Sequence, residues 1–173
     1  MEFKITLLPW LAFFLLVIVF IFSIVGAASD DKGWAANDTI QVGWKKQTID
    51  LPRGKDRIDL VGDLDDAGKA AVAGAVFCIL LSFVAAPVCF VRGFGFGPKW
   101  LSFVAAGICA VAAFLSLICW ASWAGISQND RDDAELDADY AFALAILANI
   151  GLVLASVIMG VSFFWDWSIY STN

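Results

Sequence analysis

Four long apolar runs divide the chain, and polar segments separate each run from the next. The runs extend over about residues 7–28, 70–91, 100–125 and 140–165. Because a helix needs about 20 mostly apolar residues to cross a bilayer, each run predicts one membrane-spanning helix. The pattern therefore predicts an all-α membrane protein, a four-transmembrane-helix bundle that forms a single domain over residues 1–173.

The first polar segment, the outer loop at residues 29–69, contains three short stretches in which polar and apolar positions alternate. They lie at residues 39–42, 47–51 and 57–61, and such alternation is typical of half-buried strands. Pro52-Arg53-Gly54-Lys55 is typical of a turn between the last two. We therefore expect a small extracellular β-sheet in this loop.

The composition agrees with a membrane location, since 61% of the residues are hydrophobic. Val25-Gly26-Ala27-Ala28 resembles a signal-peptide cleavage site, but the apolar run before it is too long for a signal peptide. We therefore expect the first run to remain as a helix. All four cysteines lie in the second and third runs, where each behaves first as a small apolar residue.

Small residues recur at every fourth position of the second run, which places them on one helix face. Such a stripe lets membrane helices approach closely. Asn149 is the strongly polar residue deep in the fourth run; an interhelical hydrogen bond is its expected role, with a part in transport as the alternative. The predicted helix-packing residues of the second run are Ala70, Gly74, Cys78, Ser82 and Ala86.

The charges of the polar segments predict the orientation. The turn at residues 92–99 carries two cations and no acid, whereas the last loop sets Arg131 against six acids. Positively charged short loops face the cytoplasm, so the turn and both termini are predicted to be cytoplasmic in a multi-pass protein of the plasma membrane. The first loop has seven cations and nine acids, but long loops cross membranes largely regardless of charge.

Several kinds of chemistry are disfavoured. The chain has no histidine and no charged residue in the middle of a run, which argues against an enzyme and against an ion-coupled carrier. Asp130-x-Asp132 is not followed by the residues of a calcium-binding loop, and Gly93-x-Gly95-x-Gly97 predicts a turn rather than a nucleotide site. We predict no catalytic residue, cofactor, metal or nucleic-acid partner.

Several residues are candidates for contact or modification. Trp34 and Trp44 either pack beneath the sheet, anchor it to lipid, or form a contact hot spot; with Lys45 and Lys46 they are the predicted partner-contact residues. Asn37-Asp38-Thr39 is a glycosylation sequon. Cys89 is either palmitoylated or a buried small residue.

The layout resembles that of the claudin and peripheral-myelin-protein superfamily. The resemblance covers nearly the whole chain, and in detail it depends on Trp34, on Gly43-Trp44 and on the small-residue run after Asp66-Ala67-Gly68-Lys69. The cysteine pair of that family's loop is absent. Asp139-Tyr140 before an Ala-rich last run is similar to amastin-like surface proteins, which share the layout.

We expect a protein that acts by contact rather than by catalysis, since small-residue stripes on three of the predicted helices suit packing against other membrane helices. Our first hypothesis is a structural or accessory subunit that packs against other membrane proteins, with hetero-assembly favoured over a homo-oligomer. It is surrounded by membrane lipid. The alternative is adhesion through the outer loop, and a pore or carrier is the third hypothesis.

Overall fold

The computed structural model describes residues 4–30, 33–52, 54–128, 132, 135–165 and 168–170. In this part of the chain four helices are long and apolar enough to cross a membrane, which confirms the prediction of four spans. The helices are α1 (Leu7–Ala28), α2 (Asp63–Gly93), α3 (Trp100–Ile126) and α4 (Tyr140–Phe164).

The polar residues that flank the apolar runs determine where two of the helices begin. α2 begins at Asp63 rather than at residue 70, because acidic residues in its first turn interact favourably with the helix dipole. α4 begins after Asp139, whose carboxylate accepts a hydrogen bond from the Tyr140 N–H at 2.6 Å. At its other end, α2 continues through Pro87 to Gly93.

The four helices form a closed ring in which α1 packs against α2 and α4, and α3 packs against the same two helices. Small side chains dominate the interior, and a few larger ones, including Leu16, Leu152 and Met159, fill it. Of the predicted packing stripe, Gly74, Cys78 and Ser82 are buried, while Ala70 and Ala86 are half-buried. The stripe therefore contributes mainly to contacts within the chain.

The outer loop forms most of a five-stranded antiparallel sheet with the order β5-β4-β3-β2-β6. Its strands are β2 (Ala35–Ala36), β3 (Ile40–Val42), β4 (Lys46–Leu51), β5 (Gly54–Asp59) and β6 (Asp137–Ala138). The three predicted strands correspond to β3, β4 and β5, although β5 lies earlier than residues 57–61. Pro52 lies in the turn, and Arg53 falls outside the described residues.

β2 and β6 were not predicted from the sequence, and neither were two further strands outside this sheet. β1 (Lys4–Thr6) and β7 (Ser168–Tyr170) pair antiparallel, so the first and last described segments of the chain meet. The Thr6 hydroxyl donates a hydrogen bond to the Arg92 carbonyl at 2.6 Å. Both segments therefore lie at the same end of the bundle as the turn between α2 and α3.

Arg92 organises that turn. Its side chain is buried, with Nε donating to the Ser102 hydroxyl at 3.1 Å and Nη1 donating to the Gly97 carbonyl at 2.8 Å. Gly95 and Gly97 adopt φ values of 74° and 79°, the left-handed region that favours glycine. The Gly93-x-Gly95-x-Gly97 segment is therefore a turn, as predicted.

Candidate partner-contact surfaces

Trp34 lies beneath the outer sheet, where it is 1% exposed. Its indole nitrogen donates to the Gly26 carbonyl at 3.4 Å, and its ring centroid lies 5.4 Å from that of Trp123 on α3. Ala35 and Val42 belong to the same buried cluster. Of the three roles considered from the sequence, this geometry fits packing beneath the sheet, and it leaves no ring surface for a direct partner contact.

Trp44 fastens the loop to the helix ends. Its indole nitrogen donates to the Ala27 carbonyl at 2.9 Å, and its ring is half-buried. Its backbone packs so closely on α2 that a Cβ at Gly68 would overlap the Trp44 carbonyl oxygen. Trp44 therefore joins the end of α1 to the start of α2, which is a structural role.

Lys45 and Lys46 differ from the tryptophans because their side chains reach the surface. Lys45 is exposed and Lys46 is half-buried. Their backbone N–H groups donate to the Asp30 carbonyl at 3.1 and 2.8 Å, which fixes the chain here. Lys45 is therefore the most exposed of the four predicted contact residues, while Lys46 is half-buried, as Trp44 is.

Asn37 lies in a tight turn between β2 and β3. Its carboxamide oxygen accepts hydrogen bonds from the Thr39 N–H at 2.9 Å and the Ile40 N–H at 2.7 Å. The sequon is therefore placed on the outer sheet, where glycosylation stays a prediction. An open polar depression of about 380 Å³ lies at this turn, and it is lined by Asn37, Asp38, Thr39, Glu135 and Asp137.

Within the described residues, no group of acids or cysteines converges in a way that could hold a metal ion. The remaining members of the acidic loop, Asp130, Arg131, Asp133 and Ala134, lie outside the described part of the chain. Glu135 has φ of 51°, an uncommon value for a residue other than glycine.

Cys89 faces the interior of the bundle and is 0% exposed. Its thiol lies in the same buried cluster as Ala85 and Cys109. An acyl chain attached there would have to displace packed side chains, so this geometry does not support palmitoylation. The alternative considered from the sequence, a buried small residue, fits the structure.

Asn149 makes the interhelical hydrogen bond expected from the sequence. Its Nδ2 donates to the Ala113 carbonyl on α3 at 2.6 Å, and the Ser156 hydroxyl donates to the Ala106 carbonyl at 2.9 Å. Both side chains line a groove of about 290 Å³ on the outside of the ring. This surface, the α3–α4 groove, is otherwise apolar, and its members include Ala110, Ala113, Phe114 and Val153.

α3 also carries glycines on its outer side. A Cβ built on Gly107 or Gly125 would meet no atom within 4 Å. They are 18 residues apart, which is about five turns, so they lie on one face of the helix. The sequence could not reveal this, because an outward glycine and an interior one are the same residue type in an apolar run. Gly74 and Gly151 pack against neighbouring helices.

The sheet face that contacts the helices extends beyond them. Val42, Gln47 and Ile58 lie side by side on β3, β4 and β5, and residues opposite one another share a face. Val42 is 1% exposed, whereas Ile58 is 43% exposed. Leu51, on the same face of β4, is also exposed. The outer part of this face, which also carries Asp56 on β5, is therefore not covered by the helices and overhangs them in this sense.

The chain was compared with known protein families and with characterised proteins, and neither comparison found a match.

Proposed function

We propose that the protein is a non-enzymatic structural or accessory subunit, which packs laterally against other integral membrane proteins. The α3–α4 groove is the observation that carries this proposal. Asn149 and Ser156 place polar groups in a groove on the outside of the ring, beside the small side chain of Ala110. In lipid, helices associate through close packing at small residues and through hydrogen bonds between polar side chains.

The glycines of α3 support the same role. Interior glycines in this protein are matched to close neighbours, as Gly74 is to Cys119, where an added Cβ would lie 2.6 Å from the Cys119 Cβ. Gly107 and Gly125 have no such neighbour. A partner helix could approach the backbone of α3 at these positions, which larger side chains would prevent.

The overhanging sheet face supports a neighbour beside the bundle rather than across a gap. Ile58 and Leu51 share their face with Val42, which is buried against the helix ends. Their exposed apolar surface therefore turns toward the membrane side of the sheet. A subunit that packs on the bundle could cover it in the same complex. The claudin-like layout and a plasma-membrane location with cytoplasmic termini belong to this proposal.

The experiment compares two variants in the native membrane. Ala110→Phe, on α3, fills the α3–α4 groove, whereas Ala143→Phe adds the same ring at an exposed position of α4 that does not line the groove. After gentle extraction and native mass measurement, we expect the unmodified protein and Ala143→Phe to be recovered with different subunits. Ala110→Phe should lose them. Recovery of the unmodified protein as a monomer would refute the proposal.

A second function, adhesion through the outer loop, is favoured by the charges on the opposite sheet face. Lys46 lies opposite Asp59, and Lys55 forms a 3.2 Å ion pair with Asp50. Such alternating charges suit a salt-sensitive contact with a second polar surface. Replacing Lys45 and Lys46 by Ala should then weaken contact between vesicles that contain the protein. Lys99→Ala, at the opposite end of the bundle, is the control, and unchanged contact would reject adhesion through these lysines.

A further inference from the structure

A small cavity lies inside the bundle, where the outer sheet meets the helices. Its volume is about 20 Å³, and Trp34 forms part of its wall. All four helices contribute to it, with Ser23 from α1, Cys78 from α2, Ser116 and Trp120 from α3, and Ala148 from α4. A cavity volume of roughly 10–15 Å³ is enough to hold one water molecule. The space is therefore sufficient for one.

One side chain at this cavity has an unused donor. The indole nitrogen of Trp120 is buried and has no hydrogen-bond partner among the described residues. A buried N–H without an acceptor is costly, and such groups are usually satisfied by protein or by ordered water. The cost is not reduced by the surrounding bilayer, since lipid tails offer no acceptor.

The same cavity offers acceptors for a water molecule. The Ser23 hydroxyl donates to the Val19 carbonyl at 2.8 Å, so its oxygen retains lone pairs that can accept. The Ser116 hydroxyl lies on the opposite side of the ring of helices, on α3. Buried waters typically make two to four hydrogen bonds, and Trp120 with these two serines provides three.

We infer that this cavity is a specific binding site for a single water molecule. The water accepts from the Trp120 N–H and donates to the hydroxyl oxygens of Ser23 and Ser116. It thereby joins α1 to α3, which do not pack directly as neighbours in the ring. Trp34 also lines the cavity, so the site borders the residue that packs beneath the outer sheet.

A competing arrangement is an N–H···π contact. The rings of Trp120 and Phe142 meet edge to face with centroids 6.0 Å apart. If the Trp120 N–H were directed at the Phe142 ring, it would be partly satisfied without water. Weak contacts of this kind are second-order. They do not involve Ser23 and Ser116, whose hydroxyls also lie within hydrogen-bonding reach of the Cys78 thiol.

The test uses the full-length protein in lipid nanodiscs with ¹⁵N-labelled tryptophan. Loss of one indole signal in Trp120→Phe assigns the Trp120 N–H. We expect that signal to show a through-space cross-peak to water with the sign of a long-lived bound molecule. The cross-peak is read from the unmodified protein, and Trp120→Phe serves only to assign the signal. Absence of the cross-peak overturns the inference.

Matched variants identify the partners. Ser116→Val removes one acceptor and fills the cavity, so the water cross-peak should disappear. Ser122→Val makes the same change on α3 at a position that does not line the cavity, and it should leave the cross-peak intact. If Phe142→Leu shifts the indole signal while Ser116→Val does not, the N–H faces the ring and the water site is rejected.

Discussion

At the residue scale, the glycines divide into two classes. At some, a neighbouring atom leaves no room for a Cβ, whereas at others the space is open. Gly68 is in the first class, since a Cβ there would collide with the Trp44 carbonyl oxygen. Gly160 is in the second, with no atom within 4 Å of an added Cβ. Gly68 lies near the start of α2, beside charged residues, and Gly160 lies within α4. Neither sequence context shows whether another part of the chain packs on the glycine.

This division predicts opposite responses to the same small change. Gly68→Ala forces the Trp44 backbone away from α2 and should destabilise the protein by about 1–3 kcal/mol, the usual cost of overpacking. Gly160→Ala should be neutral. Thermal unfolding in detergent measures both, and equal midpoints for the two variants would contradict the close contact between Trp44 and α2.

The tryptophans show what a single residue type can and cannot reveal. The sequence placed Trp34 and Trp44 in an aqueous loop, and it left packing, lipid anchoring and partner contact open. The deciding facts are two hydrogen bonds to the last turn of α1, at Gly26 and Ala27. These acceptors are main-chain carbonyls, which no side-chain pattern identifies.

Trp34→Ala should therefore act on stability rather than only on contact. Removing a fully buried large aromatic side chain typically costs about 3–5 kcal/mol, and Trp34 is 1% exposed. We expect a large loss of thermal stability, with the folded fraction rather than partner affinity as the quantity that falls. If the variant were as stable as the unmodified protein and failed only in partner binding, Trp34 would be a partner-contact residue instead.

At the scale of elements, length decides what the sequence can predict. Helices of more than 20 residues have strong apolar runs, and all four were predicted. β2 and β6 have two residues each, which is too short for an alternating pattern. Their pairing also joins the two outer loops, a non-local contact that depends on the ring of helices bringing the loops together.

The β2–β6 register predicts where an engineered disulfide can form. Ala36 and Asp137 are directly opposite, and opposite residues in antiparallel strands have Cα separations that a disulfide can span. The double variant Ala36→Cys/Asp137→Cys should cross-link on mild oxidation and shift in a non-reducing gel. Ala36→Cys/Ala138→Cys places the second thiol on the other face and should cross-link far less. Equal cross-linking would show that the register is wrong.

At the scale of the whole molecule, the geometry fixes which parts share a side, and charge predicts which side that is. Four spans return the chain to its starting side, and β1 pairs with β7 there, close to the turn that contains Arg92. The sequon at Asn37 lies at the opposite end, on the outer sheet. The sequence predicted this layout from four apolar runs, but it did not predict that the two ends pair.

Epitope tags at both termini test the number of spans and the orientation separately. In sealed vesicles of known orientation, protease added outside should remove both tags or neither, because the fold places the ends together. The cationic turn predicts that both are cytoplasmic, with Asn37 on the other face. Tags on opposite sides would contradict four spans, whereas both tags on the outer face would leave the fold intact and reverse only the orientation inferred from charge. Comparing the two results therefore separates an error in the helix count from an error in the charge argument.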